Sequence, residues 1–141
     1  MKLSYYIAIF SLLFLPFSNV YAQDHHHGGE KGAPSLSFIE IMQGMDKNLS
    51  ELSSAIMNDD FELITESAHS IAHHPSISKE DLHILFERLG NKKEGFITCD
   101  TAVHTLAIDL AMAGKEEDMV KVLESHAAMI AKATECHKNY R

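Results

Sequence analysis

The chain has 141 residues and a formal net charge of −8 with histidines neutral. So acidic a chain is a poor binder of nucleic acid and is not drawn to anionic lipid. Two cysteines, ten histidines and seven methionines are the groups from which chemistry could be built.

Residues 1–22 read as a cleaved Sec-type signal peptide. Lys2 supplies the positive start, Tyr6 to Phe17 the apolar stretch, and Val20-Tyr21-Ala22 the small-x-small cleavage signal. The segment is short for a membrane anchor. It implies export to the periplasm, with no membrane insertion after cleavage. The mature chain has 141 − 22 = 119 residues, enough for one modest core, and losing Lys2 takes its charge from −8 to −9.

Residues 23–34 form a polar arm carrying His25, His26 and His27. The composition predicts disorder unless a ligand orders it, and the histidine run suits metal capture.

Residues 35–141 predict an all-α domain, an antiparallel up-down-up-down four-helix bundle with a short extra helix between helices 2 and 3. Ser37 and Glu40 make a capping box. Phe38, Ile41, Met42, Met45, Leu49, Leu52 and Ile56 then recur at helical spacing. Asn58-Asp59-Asp60 ends this helix and caps the next, whose apolar face is Phe61, Ile64, Ala68, Ile71 and Ala72. Pro75 stops the second helix at His73-His74. Ser78 opens the short helix, which ends at Gly90.

The third long helix is expected from about Gly95, with Phe96, Cys99, Val103, Leu106 and Leu110 inward and Gly114 closing it. The fourth follows from about Glu116. Its expected inward stripe is Met119, Val122, Leu123, His126, Met129, Ile130, Ala133 and His137. The turn chemistry shows no hairpin of strands, and the sequence shows no repeat.

An up-down bundle brings Met42, Met45, His73, His74, Cys99, Cys136 and His137 to one end, where the arm also enters. His137, an inward imidazole, could ligate haem iron, copper or zinc. Met42 and Met45 are soft thioethers or core fillers. Cys136 could form a thioether, bind metal as thiolate, or pair with Cys99. From the turn at Gly114, Cys99 lies about 15 residues back and Cys136 about 22 forward, a height difference of roughly 10 Å. Disulfide Cα atoms sit within about 7 Å, so regular geometry disfavours that bond. Asp100 and His104, one turn apart, could act together, the carboxylate orienting the imidazole. His104 is expected level with His126. There is no Ser-His-Asp order, no phosphate loop and no H-E-x-x-H, so no enzyme is expected.

The chain ends Ala133-Thr134-Glu135-Cys136-His137-Lys138-Asn139-Tyr140-Arg141, which resembles a C-x-x-C-H haem-attachment box with Ala133 at the first cysteine position. With the four-helix plan, this resembles the cytochrome c′ superfamily. Ile41-Met42-Gln43-Gly44-Met45, Ile71-Ala72-His73-His74-Pro75, Leu89-Gly90 and Phe96 to Asp100 with Val103-His104 resemble a subgroup of periplasmic c-type cytochromes. The resemblance implies haem between helices 1 and 4. His137 would be the proximal ligand, Cys136 the covalent anchor, and Met42 or Met45 the distal ligand. With Ala133, the haem would be held by one thioether or non-covalently.

Three functions follow. The first is a haem protein for electron transfer or small-ligand binding, working with a redox partner protein. The second is a haem-free copper or zinc protein exchanging its ion with a periplasmic donor or acceptor. Its ligands would come from His137, Cys136, Met42, Met45, Cys99, His74 and His104, with His25 to His27 as a capture arm. The third is a helical chaperone or adaptor. The resemblance also implies a homodimer packed through exposed helix faces.

Overall fold

The computed structural model describes residues 35–141. Residues 1–34, on which the expected signal peptide and the arm with His25, His26 and His27 fall, lie outside the described residues.

The described chain is all-helical. The helices are α1 (Phe38–Met57), α2 (Phe61–Ala72), α3 (Lys79–Leu89), a 3-10 turn (Gly90–Lys92), α4 (Lys93–Lys115) and α5 (Met119–Tyr140). The expected capping box is present, with the Glu40 carboxylate accepting from the Ser37 amide at 2.8 Å. These bonds to Ser37, the hydroxyl first, hold the Glu40 carboxyl below its usual range. Leu36 is extended beside Ile77: its amide donates to the Ser76 carbonyl and its carbonyl accepts from the Ser78 amide. The Asp81 carboxylate accepts from the Phe38 amide at 2.8 Å, so the starts of α1 and α3 are tied together.

The two hairpins turn identically. Asn58-Asp59-Asp60 joins α1 to α2, and Glu116-Glu117-Asp118 joins α4 to α5. The middle residue of each is left-handed, Asp59 and Glu117 both at φ 54°. The Asp60 amide bonds the Ala55 carbonyl and the Asp118 amide that of Ala113. Asp60 and Asp118 then cap the following helices by accepting from the Leu63 and Lys121 amides. The offset, 117 − 59 = 58 residues, also pairs buried Leu52 with Leu110, Ala55 with Ala113, Ile64 with Val122 and Ile71 with Met129. Two of these four pairs are identical and two differ, and such scattered matches do not stand out as a repeat in the sequence.

α1 packs on α2, α2 on α4 and α4 on α5. Leu52, Ile64, Ile71, Leu110, Val122 and Met129 are fully buried in one core drawn from α1, α2, α4 and α5. Among the described residues α1 and α5 form no comparable interface. That explains why the expected stripe of α5 is too wide. Its packed seam is Val122, His126, Met129, Ala133, Cys136 and Tyr140, whereas Leu123 and Ile130 are 51% and 38% exposed. The run Lys79–Lys115, taken as one helix, is apolar and long enough to cross a membrane by length and composition, with mean hydropathy 1.3 over its best window. In the fold Cys99, Val103, Ala107, Leu110 and Ala113 on this run are buried.

Gly114 does not close the third long helix as expected. It lies inside α4, which runs on to Lys115, and it marks a close approach: a Cβ there would sit 2.7 Å from Thr65 Oγ1 and 2.9 Å from Ile64 Cγ2.

Candidate metal centre

Pro75 ends α2 at Ala72 and leaves the last carbonyls of that helix without partners along the chain. His104, on α4, supplies one. Its Nδ1 lies 2.9 Å from the Ala72 carbonyl oxygen. His74, just past the end of α2, has its Nδ1 2.8 Å from the Pro75 carbonyl oxygen. The two Nε2 atoms then meet at 3.1 Å, with the rings edge to face. Asp100, one turn before His104, has Oδ1 3.7 Å from His104 Nε2. The His104 side chain is 15% exposed and that of Asp100 33%.

The tautomers follow from the partners. A carbonyl oxygen can only accept, so both Nδ1 atoms carry their proton and donate it. In the neutral rings both Nε2 atoms are therefore lone pairs, and they face one another. Two lone pairs at that separation repel unless a cation lies between them. That cation is either a proton, making one ring an imidazolium, or a metal ion. At a bond length of about 2.0–2.1 Å, two nitrogen ligands stand about 3.3 Å apart at a tetrahedral angle and about 2.9 Å at a right angle. The 3.1 Å between the nitrogens lies between these. A linear two-coordinate ion would hold them about 4.1 Å apart, so the pair suits zinc or divalent copper better than linear Cu(I). Among the described residues no three His, Cys, Asp or Glu side chains form a ready-made cluster. The centre is two nitrogens with a carboxylate alongside, an open arrangement.

The other expected ligands fall elsewhere. Cys99 and Cys136 are joined in a disulfide with Cα atoms 5.9 Å apart, which corrects the expectation that height keeps them apart. The error came from counting the turn as helix. Cys99 is 115 − 99 = 16 residues before the end of α4, and Cys136 is 136 − 119 = 17 after the start of α5, so they are level. Disulfide-bonded, neither sulfur is a metal ligand and Cys136 is not a thioether anchor. His137 is not inward but exposed. Two turns from buried Met129 are about 7.2 residues, which lands on Cys136 and leaves His137 off the packed face. Met42 and Met45 are half-buried, Met45 against the core. The residues present therefore do not fit a covalently attached haem: the anchoring sulfur is committed and the proximal imidazole is turned to solvent.

His104 pairs with His74 rather than with His126. The sequence held both residues, but only the folded connection 73–78 turns His74 back toward α4. His126 instead packs with its Nε2 buried and without a hydrogen-bond partner among the described residues. Burial holds its imidazolium below the ordinary range. The sign is fixed by linkage: the unfolded ring takes up a proton near pH 6.5 and the folded one resists it. The neutral-ring contribution is present above that pH and lost as pH falls through it. Thermal melts of His126→Leu should therefore lose less stability between pH 7 and 5 than the parent. Equal losses would show that His126 is not an acid-sensitive position.

Searches against protein-family models, curated proteins and solved structures give no match to this chain.

Proposed function

We propose that this is an exported, haem-free protein on an antiparallel four-helix scaffold that binds and exchanges a divalent transition ion, zinc or copper. The observation that carries the reading is the pair of Nε2 atoms 3.1 Å apart, each ring held at its Nδ1 by a backbone carbonyl, which leaves both Nε2 atoms as acceptors in the neutral rings. This is the arrangement in which second-shell bonds orient imidazole ligands before the ion arrives. Asp100 beside the pair, its Oδ1 3.7 Å from His104 Nε2, supplies negative charge, and the remaining positions are open to water or to a donor protein's ligands. An open site suits exchange better than a closed four-ligand one, which serves structure.

The test is calorimetric titration of zinc(II) and copper(II) into the mature chain. The background carries His25→Ser, His26→Ser and His27→Ser, so that the arm contributes nothing. One ion should bind with loss of affinity in His74→Gln and in His104→Gln, and Asp100→Asn should weaken binding by roughly 10–100-fold. If all three variants bind as the parent does, the reading is wrong. The pair then shares a proton, and His104 serves only to cap α2 in a helical adaptor.

A further inference from the structure

The last turn of α2 carries a second pair of imidazoles that the centre above does not use. His69 and His73 are four residues apart, and both are exposed. Their ring centroids are 4.3 Å apart with planes tilted by 48°. The His73 amide still donates to the His69 carbonyl at 2.9 Å, so helical spacing holds through both residues although the helix ends there. Both line a groove whose other wall is α1, through Glu40 and Met45. His74 lines the same groove, with its Nε2 turned to His104 on α4.

Two imidazoles one turn apart on a helix can grip one ion from the same side. The ion would sit at the carboxyl end of α2, where the unpaired carbonyls favour positive charge. The groove leaves its other positions to water or carboxylate oxygen. A two-nitrogen site completed by oxygens fits the tetragonal preference of divalent copper, which also leads the affinity order for nitrogen ligands.

We infer that His69 and His73 form a second, surface chelate for a divalent ion, copper(II) before zinc(II), separate from the His74–His104 centre. It stands whether or not that centre binds metal.

The test titrates copper(II) chloride into the mature chain with His25, His26 and His27 changed to serine. Stoichiometry is read by calorimetry and the copper environment by electron spin resonance. Two equivalents should bind to this background. His69→Gln with His73→Gln should remove one equivalent and one set of two-nitrogen resonance features, with the helical circular dichroism unchanged because both side chains are exposed. His74→Gln with His104→Gln should remove the other. If the His69/His73 variant binds as many ions as its parent, with the same spectrum, the inference is overturned. If instead the His74/His104 variant alone changes nothing, the earlier reading falls and this one stands. If the parent background binds no ion, both fall.

Discussion

Replacing both cysteines, Cys99→Ala with Cys136→Ala, is expected to lower stability by about 4 kcal/mol. The figure is the entropy that a cross-link closing a 37-residue span removes from the unfolded chain. The location of the bond raises its importance. α2 has only 12 residues while α4 has 23 and α5 has 22, so α2 covers only part of the α4–α5 hairpin. Far from the turn, α4 and α5 are held by the disulfide, by the Tyr140 ring edge-on to Phe96 at 5.8 Å, and by Tyr140 lying against Gly95. Chemical denaturation of the oxidised protein, the reduced protein and the double variant measures the effect. The reduced and variant proteins should agree with each other and fall well below the oxidised one. A difference under about 1 kcal/mol would mean that the unfolded chain keeps the two segments close even without the bond.

The second large effect is expected at Gly114. Alanine would ordinarily gain about 1 kcal/mol over glycine inside a helix. Here the added methyl meets Thr65 Oγ1 at 2.7 Å, Ile64 Cγ2 at 2.9 Å and the Thr65 amide nitrogen at 3.3 Å. The hydroxyl cannot yield freely, because it donates to the Phe61 carbonyl at 2.8 Å. Ile64 cannot yield either, being fully buried. Forcing a methyl into such packing costs roughly 1–3 kcal/mol, so Gly114→Ala should be destabilising by up to about 2 kcal/mol after the propensity gain of about 1 kcal/mol is subtracted. A double-mutant cycle with Thr65→Ala checks the cause. The two changes together should cost less than their sum, because the hydroxyl that the new methyl strikes is gone. Additive losses would point away from the α2–α4 contact.

The elements were legible wherever local chemistry decides them. Ser37 with Glu40, Asp60 and Ser78 each cap the helix that their position announced, and Pro75 stops α2 where steric exclusion requires, whereas the last helix, expected from about Glu116, starts at Met119 behind its cap Asp118. The buried faces of α1 and α2 follow their apolar spacing closely. What failed were statements of phase and level. His137 and Cys136 are neighbours, so an assignment one residue off turns the side chain by about 100° and moves it from seam to solvent. Leu123 and Ile130, seven residues apart and on the same line as His137, were read as inward because a closed bundle would cover them. The cysteine pairing was misjudged because turn residues cross between helices without adding height. The His74–His104 meeting was beyond reach for a different reason. His74 lies in the irregular connection 73–78, where backbone direction is set by the Leu36 bridge and not by any period in the sequence.

The twin turns have an electrical consequence. Because Gly114 rests on the start of α2, both turns lie at the same end of the molecule. They gather Asp59, Asp60, Glu62, Glu116, Glu117 and Asp118 there, against only Lys115 and Lys121. Among the described residues the far end of the α4–α5 hairpin is mixed, with Lys92, Lys93, Lys138 and Arg141 beside Glu94 and Glu135, all exposed. The described chain thus concentrates its acidic charge at the turn end of the hairpin. Any charged surface or partner orients it along the hairpin axis before contact, and that torque weakens as added salt shortens the screening length to about 10 Å at 0.1 M. The histidine face on α2 lies along the side of this hairpin, so an approach guided by the acidic turn end leaves it uncovered.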